Sequence, residues 1–289
     1  MDGYRIRRHA ARVVESRQAR GCNGQTHQFA PYTGAMPQPP TSPVVIGRPP
    51  GRDRRTGRVW LFDLDDTLHD ATHAAFGPTS LAMTAYIVDH LGLDETAAAA
   101  LRTHYWRRYG ATLLGLVRHH GVKAAHFLDQ THLLPGLEAR LRGSAHDRAV
   151  LARLPGRKVI LTNAPRGYAL RVLAALGLAR HFDAVLTIED MAMFGQHRPK
   201  PDARMLRHVA ARLKVAPRRC VLVEDTLAHQ KSARGIGMQT VWMRRYLRRP
   251  ASLTGWPHLP PGTERGVRRG FRPSYVGARI VALEALRRF

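Results

Sequence analysis

The chain has 289 residues, 44% of them hydrophobic, and its 46 Lys and Arg against 21 Asp and Glu give a formal net charge of +25. That apolar share supports a packed core and excludes a globally disordered chain, while no run approaches the ~18 consecutive apolar residues of a membrane span. Two cysteines, Cys22 and Cys220, exclude a disulfide framework or a zinc-site spacing and fit a reducing, cytoplasmic setting.

Residues 1–57 open with MDGYRIRRHAARVVESRQAR, which is basic but lacks the unbroken apolar core of a secretory signal. They continue into a Pro/Gly/Arg-rich stretch expected to be disordered. This segment carries ten Arg against three acids, and residues 244–289 carry eleven Arg against two. Such charge serves either as a solvated surface or as an attraction for anions, phosphorylated metabolites among them. No RRM, zinc-finger or helix-turn-helix signature accompanies it, so no nucleic-acid partner is expected.

From residue 58 the pattern becomes α/β. Short apolar runs at Val59–Phe62, Val159–Leu161, Ala184–Ile188, Val221–Val223 and Thr240–Met243 have the length of buried parallel strands. Helical periods cover Tyr168–Leu176, Asp202–Leu213 and Leu227–Gly235, with Pro201 before one helix and Gly177 after another. Repeated strand and helix predict a three-layer, doubly wound, Rossmann-like parallel sheet built from residues 58–71 and 151–247. About 95 residues separate the first two strands, far more than a crossover needs. Apolar residues recur helically through Ala74–Leu91, Thr96–Tyr109 and Ala111–Val117, so residues 72–150 are read as an inserted helical cap. Residues 248–289 are expected to be a mostly irregular basic extension, with one short amphipathic helix at Val276–Phe289.

Doubly wound sheets bind ligands beyond the carboxyl ends of their strands. There the sequence sets Asp63 and Asp65 after the first run, Thr162 and Asn163 after the second, and Glu224 and Asp225 after the fourth. Lys200 stands in the loop HRPKPD, stiffened by a proline on either side. A helix cap explains one acid, but three acids stacked on an apolar strand, VWLFDLDDTL, suit phosphate chemistry better. One carboxylate can act as nucleophile and the other as general acid for the departing alkoxide. A phosphate dianion beside carboxylates requires a lysine and a divalent cation, and oxygen ligands favour Mg2+.

Together FDLDDTL, LTNA, HRPKPD and VLVEDT resemble the four ordered motifs of the haloacid dehalogenase superfamily, and the insertion point resembles that of its helical C1 cap. The resemblance implies a phosphatase working through an aspartyl-phosphate. Asp63 would be nucleophile and metal ligand. Asp65 would be general acid and base, with its carbonyl on the metal. Thr162, Asn163 and Lys200 would hold the phosphate, and Asp225 would complete the metal site with Glu224 reaching it through water. Keeping both Asp65 and Asp225 favours phosphate esters over carbon–halogen bonds. Asp66 is expected to serve structure. Where many members place a further acid or Asn, this chain has His229 and Gln230.

Three stretches, THYWRRYGATLLGLVRHHGV, HLLPGLEARLR and VEDTLAHQKSARGIGMQTVWMRRY, resemble the pyrimidine 5′-nucleotidase branch. That implies a nucleoside monophosphate substrate, UMP or CMP; the alternative is another small ester such as phosphoglycolate or a sugar phosphate. Tyr105, Trp106, Tyr109, His119 and His120 could wall the base or simply pack helix on helix.

Overall fold

The computed structural model describes residues 57–247 and 272–289; the expectations for residues 1–56, Cys22 included, and for 248–271 lie outside them. In chain order come β1 (Val59–Phe62), then the helices α1 (Ala71–Ala74), α2 (Phe76–Leu91), α3 (Glu95–Tyr109), α4 (Thr112–His120), α5 (Ala124–Thr131), α6 (Leu137–Arg140) and α7 (Ala145–Arg153). There follow β2 (Arg157–Leu161), α8 (Arg166–Ala175), β3 (Ala184–Leu186) and a small hairpin, β4 (Ala192–Met193) with β5 (Gln196–His197). The chain closes with α9 (Ala203–Arg212), β6 (Cys220–Glu224), α10 (Leu227–Gly235), β7 (Gln239–Met243) and β8 (Ala278–Ile280).

β1 is buried at every position because it lies mid-sheet, in the order β3-β2-β1-β6-β7-β8. Every pairing in this sheet is parallel, with Phe62 level with Ile160 of β2 and with Val223 of β6. Its side chains alternate between two apolar layers. Trp60 and Phe62 join Ile160, Val172 and Leu173 on the α8 side, while Val59 and Leu61 join Met205, Leu206 and Val209 on the α9 side. Cys220 is fully buried in the second layer. The result is the three-layer α/β architecture with helices on both faces. Asp202 caps α9 by accepting from the backbone N–H groups of Arg204 and Met205.

Helices α2 to α5 pack around a third cluster that includes Tyr86, Ile87, Leu113, Leu116 and Phe127. Leu137 of α6 and Val150 and Leu151 of α7 join the sheet layer instead, so this separate packing is narrower than residues 72–150. Gly115 makes the α3–α4 contact possible, since a Cβ there would stand 2.1 Å from Tyr105 Cγ. The left-handed turn at Gly110 (φ 81°) joins these two helices beside Pro201, to which a Cβ at Gly110 would come within 3.9 Å. Among the described residues no helix is long and apolar enough to cross a membrane.

Two expectations need correction. The strand read as Ala184–Ile188 ends at Leu186, because Thr187 donates through both its N–H and Oγ1 to Asp190 Oδ2 and starts a 3-10 turn. Ile188 then packs in the α2–α5 cluster rather than on the sheet. The helix read over Val276–Phe289 is instead β8, parallel to β7, followed by a 3-10 segment at Leu283–Arg288. An unpaired β7 edge supplies hydrogen-bond partners that an isolated helix would lack: Arg244 N–H donates to Ile280 O, and Gly277 N–H to Thr240 Oγ1. Leu283 and Leu286 close over the Trp60 layer.

Candidate active site

The carboxyl ends of β1, β2 and β6 form one polar edge. Asp63 continues β1, its N–H donating to Val223 O at 3.0 Å, and its side chain is buried. Lys200, only 1% exposed, donates from Nζ to Asp63 Oδ1 at 2.6 Å and to Glu224 Oε2 at 2.7 Å. Thr67 Oγ1 donates to Asp63 Oδ2 at 3.3 Å. Glu224 is held further by His229 Nδ1 at 2.9 Å from Oε2, and by Thr226 N–H on Oε1 at 3.1 Å. Carboxylate oxygens of Asp63, Glu224 and Asp225 lie within 4.8 Å of one another, a grouping able to hold a metal ion.

The electrostatics follow from burial and from an excess of acids over cations. Burial raises Asp63 to about 8, with Glu224 pushing the same way and Lys200 opposing. Asp225 is raised for the same reason, burial first and then the charges of Glu224 and Asp63. On Glu224 burial pushes upward, but Lys200 and His229 overcome it and hold the carboxyl well below the usual range. Burial works against the Lys200 ammonium too, and Asp63 with Glu224 overcomes it and keeps the group charged. A single buried ammonium thus pairs with two of the three grouped carboxylates, and Asp63 and Asp225 are driven towards protonation. A hard dication fits this all-oxygen cluster.

Asp65 lies outside that group of three and has its own partners. Its Oδ1 accepts from Tyr168 Oη at 2.7 Å and lies 2.9 Å from His69 Nε2. Thr162 is buried at the end of β2, where its Oγ1 accepts from Ala164 N–H at 3.0 Å and keeps its own proton to donate. Asn163, expected beside the phosphate, has its side chain on the lysine loop. Its side-chain amide donates to Lys200 O at 3.0 Å and accepts from Lys200 N–H at 2.9 Å, so both ends clamp the lysine loop. Asp66 turns through φ 53° and binds Thr72 through both carboxylate oxygens, a structural tie across the turn. In place of the expected further acid, Gln230 Nε2 donates to the carbonyls of Glu224 and Val241, tying β6 to β7.

Sequence reading missed Tyr168 and His69. His69 stands four residues after Asp65, a spacing that could have flagged it; Tyr168 stands 103 residues away, with no local signal. Of the aromatic candidates of the insert, Tyr105, Tyr109, His119 and His120 pair among themselves, while Trp106 is partly buried on α3. Tyr105 Oη meets His120 Nε2 at 2.8 Å, Tyr109 Oη meets His119 Nε2 at 2.6 Å, and Tyr105 is buried.

Residues 58–237 match the haloacid dehalogenase-like hydrolase family. The chain belongs to that family. Among relatives of these haloacid dehalogenase-like hydrolases, the fructose-1-phosphate phosphatase YqaB of Escherichia coli (strain K12) is 29% identical over 198 residues, covering 64% of this chain and 95% of that protein. The plasmid-encoded phosphoglycolate phosphatase of Cupriavidus necator is 31% identical over 112 residues, covering 39% of this chain and 43% of that protein. A HAD phosphatase structure from Thermococcus onnurineus shares the fold at a TM-score of 0.51 and 20% identity, covering 80% of this chain and 96% of that one. CbbY from Rhodobacter sphaeroides, solved in complex with phosphate, also reaches 0.51, at 18% identity, with 79% and 96% covered.

Proposed function

We propose that this chain is a magnesium-dependent phosphatase of small phosphate monoesters, with Asp63 as the nucleophile. The observation that carries it is the buried Asp63–Lys200–Glu224 contact at a central strand end, with Asp225 beside it. In the first half-reaction a carboxylate oxygen of Asp63 attacks phosphorus. The bond from phosphorus to the ester oxygen breaks, its electron pair leaves on that oxygen, and Asp65 supplies the proton. Water then attacks the phosphorus of the aspartyl-phosphate, Asp65 accepts the proton, and phosphate departs with Asp63 restored. Lys200 keeps the nucleophile oriented and balances charge on the phosphoryl oxygens, and Thr162 donates its hydroxyl to one of them. Mg2+, when held by the carboxylates of Asp63 and Asp225 and the Asp65 carbonyl, supplies the positive charge that lets a dianion approach these acids.

Within this class, the resemblance of residues 103–122, 132–142 and 223–246 to pyrimidine 5′-nucleotidases supports UMP or CMP as substrate. A second reading, a sugar phosphate or phosphoglycolate, is supported by the names of the relatives and by the mutual pairing of Tyr105, Tyr109, His119 and His120. The test is phosphate release by purified protein with Mg2+ from UMP, CMP, AMP, fructose 1-phosphate and phosphoglycolate, with Asp63→Asn as control. Release from none of them, or release equal in wild type and Asp63→Asn, would refute the phosphatase. Faster turnover of the non-nucleotide esters would refute the nucleotidase reading alone.

A further inference from the structure

Two buried side chains flank the catalytic edge without a part in the chemistry above. His69 is fully buried and Tyr168 is 3% exposed. Both aim a polar atom at one oxygen of Asp65, and they lie 3.4 Å from each other, so the three groups close a triangle. Among the described residues no partner is recorded on Asp65 Oδ2. His69 Nδ1 is buried without a hydrogen-bond partner. An orphaned N–H costs more than an orphaned lone pair, which places the ring proton on Nε2, donating to Asp65.

The three groups come from two parts of the chain. Asp65 and His69 bracket the turn after β1, while Tyr168 sits in the first turn of α8, whose Ala169, Val172 and Leu173 are fixed in the core. Asp65 itself is partly exposed, with 18% of its side-chain surface open, and its short side chain could otherwise rotate towards solvent. Two donors on Oδ1 fix the carboxyl plane and leave Oδ2 for the reacting oxygen.

We propose that Tyr168 and His69 are positioning residues that hold Asp65 with Oδ2 directed at the leaving oxygen of the ester. This rests on the reading of Asp65 as proton donor. It predicts a dependence on the leaving group that a purely structural tyrosine would not show. An alkoxide needs a proton as it departs, whereas p-nitrophenolate is stable enough to leave without one.

The experiment compares kcat/KM, which covers the steps up to departure of the leaving group, for the best alkyl ester of the screen and for p-nitrophenyl phosphate. Tyr168→Phe removes only the hydroxyl. On the alkyl ester kcat/KM is expected to fall about ten- to hundredfold, part of a general acid's full contribution, with the loss in kcat rather than KM. On p-nitrophenyl phosphate it should fall less than about threefold. A second pair guards against misfolding: His69→Gln keeps a donor near Nε2 and should retain selectivity, whereas His69→Leu should repeat the Tyr168→Phe pattern. Equal losses on both esters, or no loss on the alkyl ester, overturn the positioning role while the phosphatase stands. Wild-type protein that hydrolyses neither ester overturns the phosphatase reading and this proposal with it.

Discussion

Replacing Lys200 by Met keeps the length of the side chain and removes the one ammonium among three buried carboxylates. Contacts of 2.6 Å and 2.7 Å to Asp63 and Glu224, with all three side chains at most 8% exposed, make this a buried pair with its partners left behind. Stranding such charges costs about 3–5 kcal/mol. For a body of this size that corresponds to a fall in Tm of roughly 6–20 °C. The loss depends on pH in a definite direction. Asp63 is already raised from 3.8 to about 8, so its stabilising contribution is complete below 3.8 and is withdrawn as pH rises through about 8. Without the ammonium the carboxylates are raised further, so Lys200→Met should be weakest at pH 8 to 9 and closest to wild type near pH 5. Added Mg2+ should recover part of the loss, because a dication that binds only the folded state replaces the missing charge. Thermal melts at both pH values, in EDTA and in Mg2+, with phosphate release alongside, measure all of this. A Tm within about 2 °C of wild type at pH 8 in EDTA would refute the reasoning, since the pair would then contribute far less than burial demands.

Asp225→Ala should raise the Mg2+ concentration needed for half-maximal phosphate release at least tenfold, and an unchanged Mg2+ titration would remove Asp225 from the metal site. Gly115→Ala should destabilise the α3–α4 contact by about 1–3 kcal/mol, because Tyr105 must leave its place against α4; a denaturation midpoint equal to wild type would count against the packing described. Burial depresses His132 from 6.5 to about 4, so the unfolded chain takes up a proton there before the folded one does. Stability on the order of 2 kcal/mol should therefore be lost as pH falls from about 6.5 to 4, and His132→Gln should flatten that slope in pH-dependent melts.

The central strands were legible because parallel strands buried on both faces read as unbroken apolar runs that stop where the ligand edge begins. Asp63, Thr162, Lys200 and Asp225 stood out as candidates for the same reason: each is a polar residue at the end of such a run or in the loop above it. What was hidden depends on partners distant in sequence. Val276, Ile280, Leu283 and Leu286 carry a spacing that suits a helix, and only the open edge of β7 turns part of that stretch into a strand. The clamp of Asn163 on the Lys200 loop was equally hidden, because the backbone that takes both ends of its amide lies 37 residues on. Tyr168 gave no hint of Asp65 because its spacing in α8 fits core packing alone, and its hydroxyl finds that carboxylate only once the sheet is assembled.

The ring of Phe289 lies 6.2 Å from that of Trp60, and the guanidinium of Arg58 stands over both. Arg58 and Phe289 therefore meet at one pole of the sheet body, the amino edge of β1, with Asp63 about 13 Å along that strand at the far edge. A dye attached at Arg58 or Phe289 stands on the edge opposite Asp63, and labelling there should leave the rate of phosphate release unchanged.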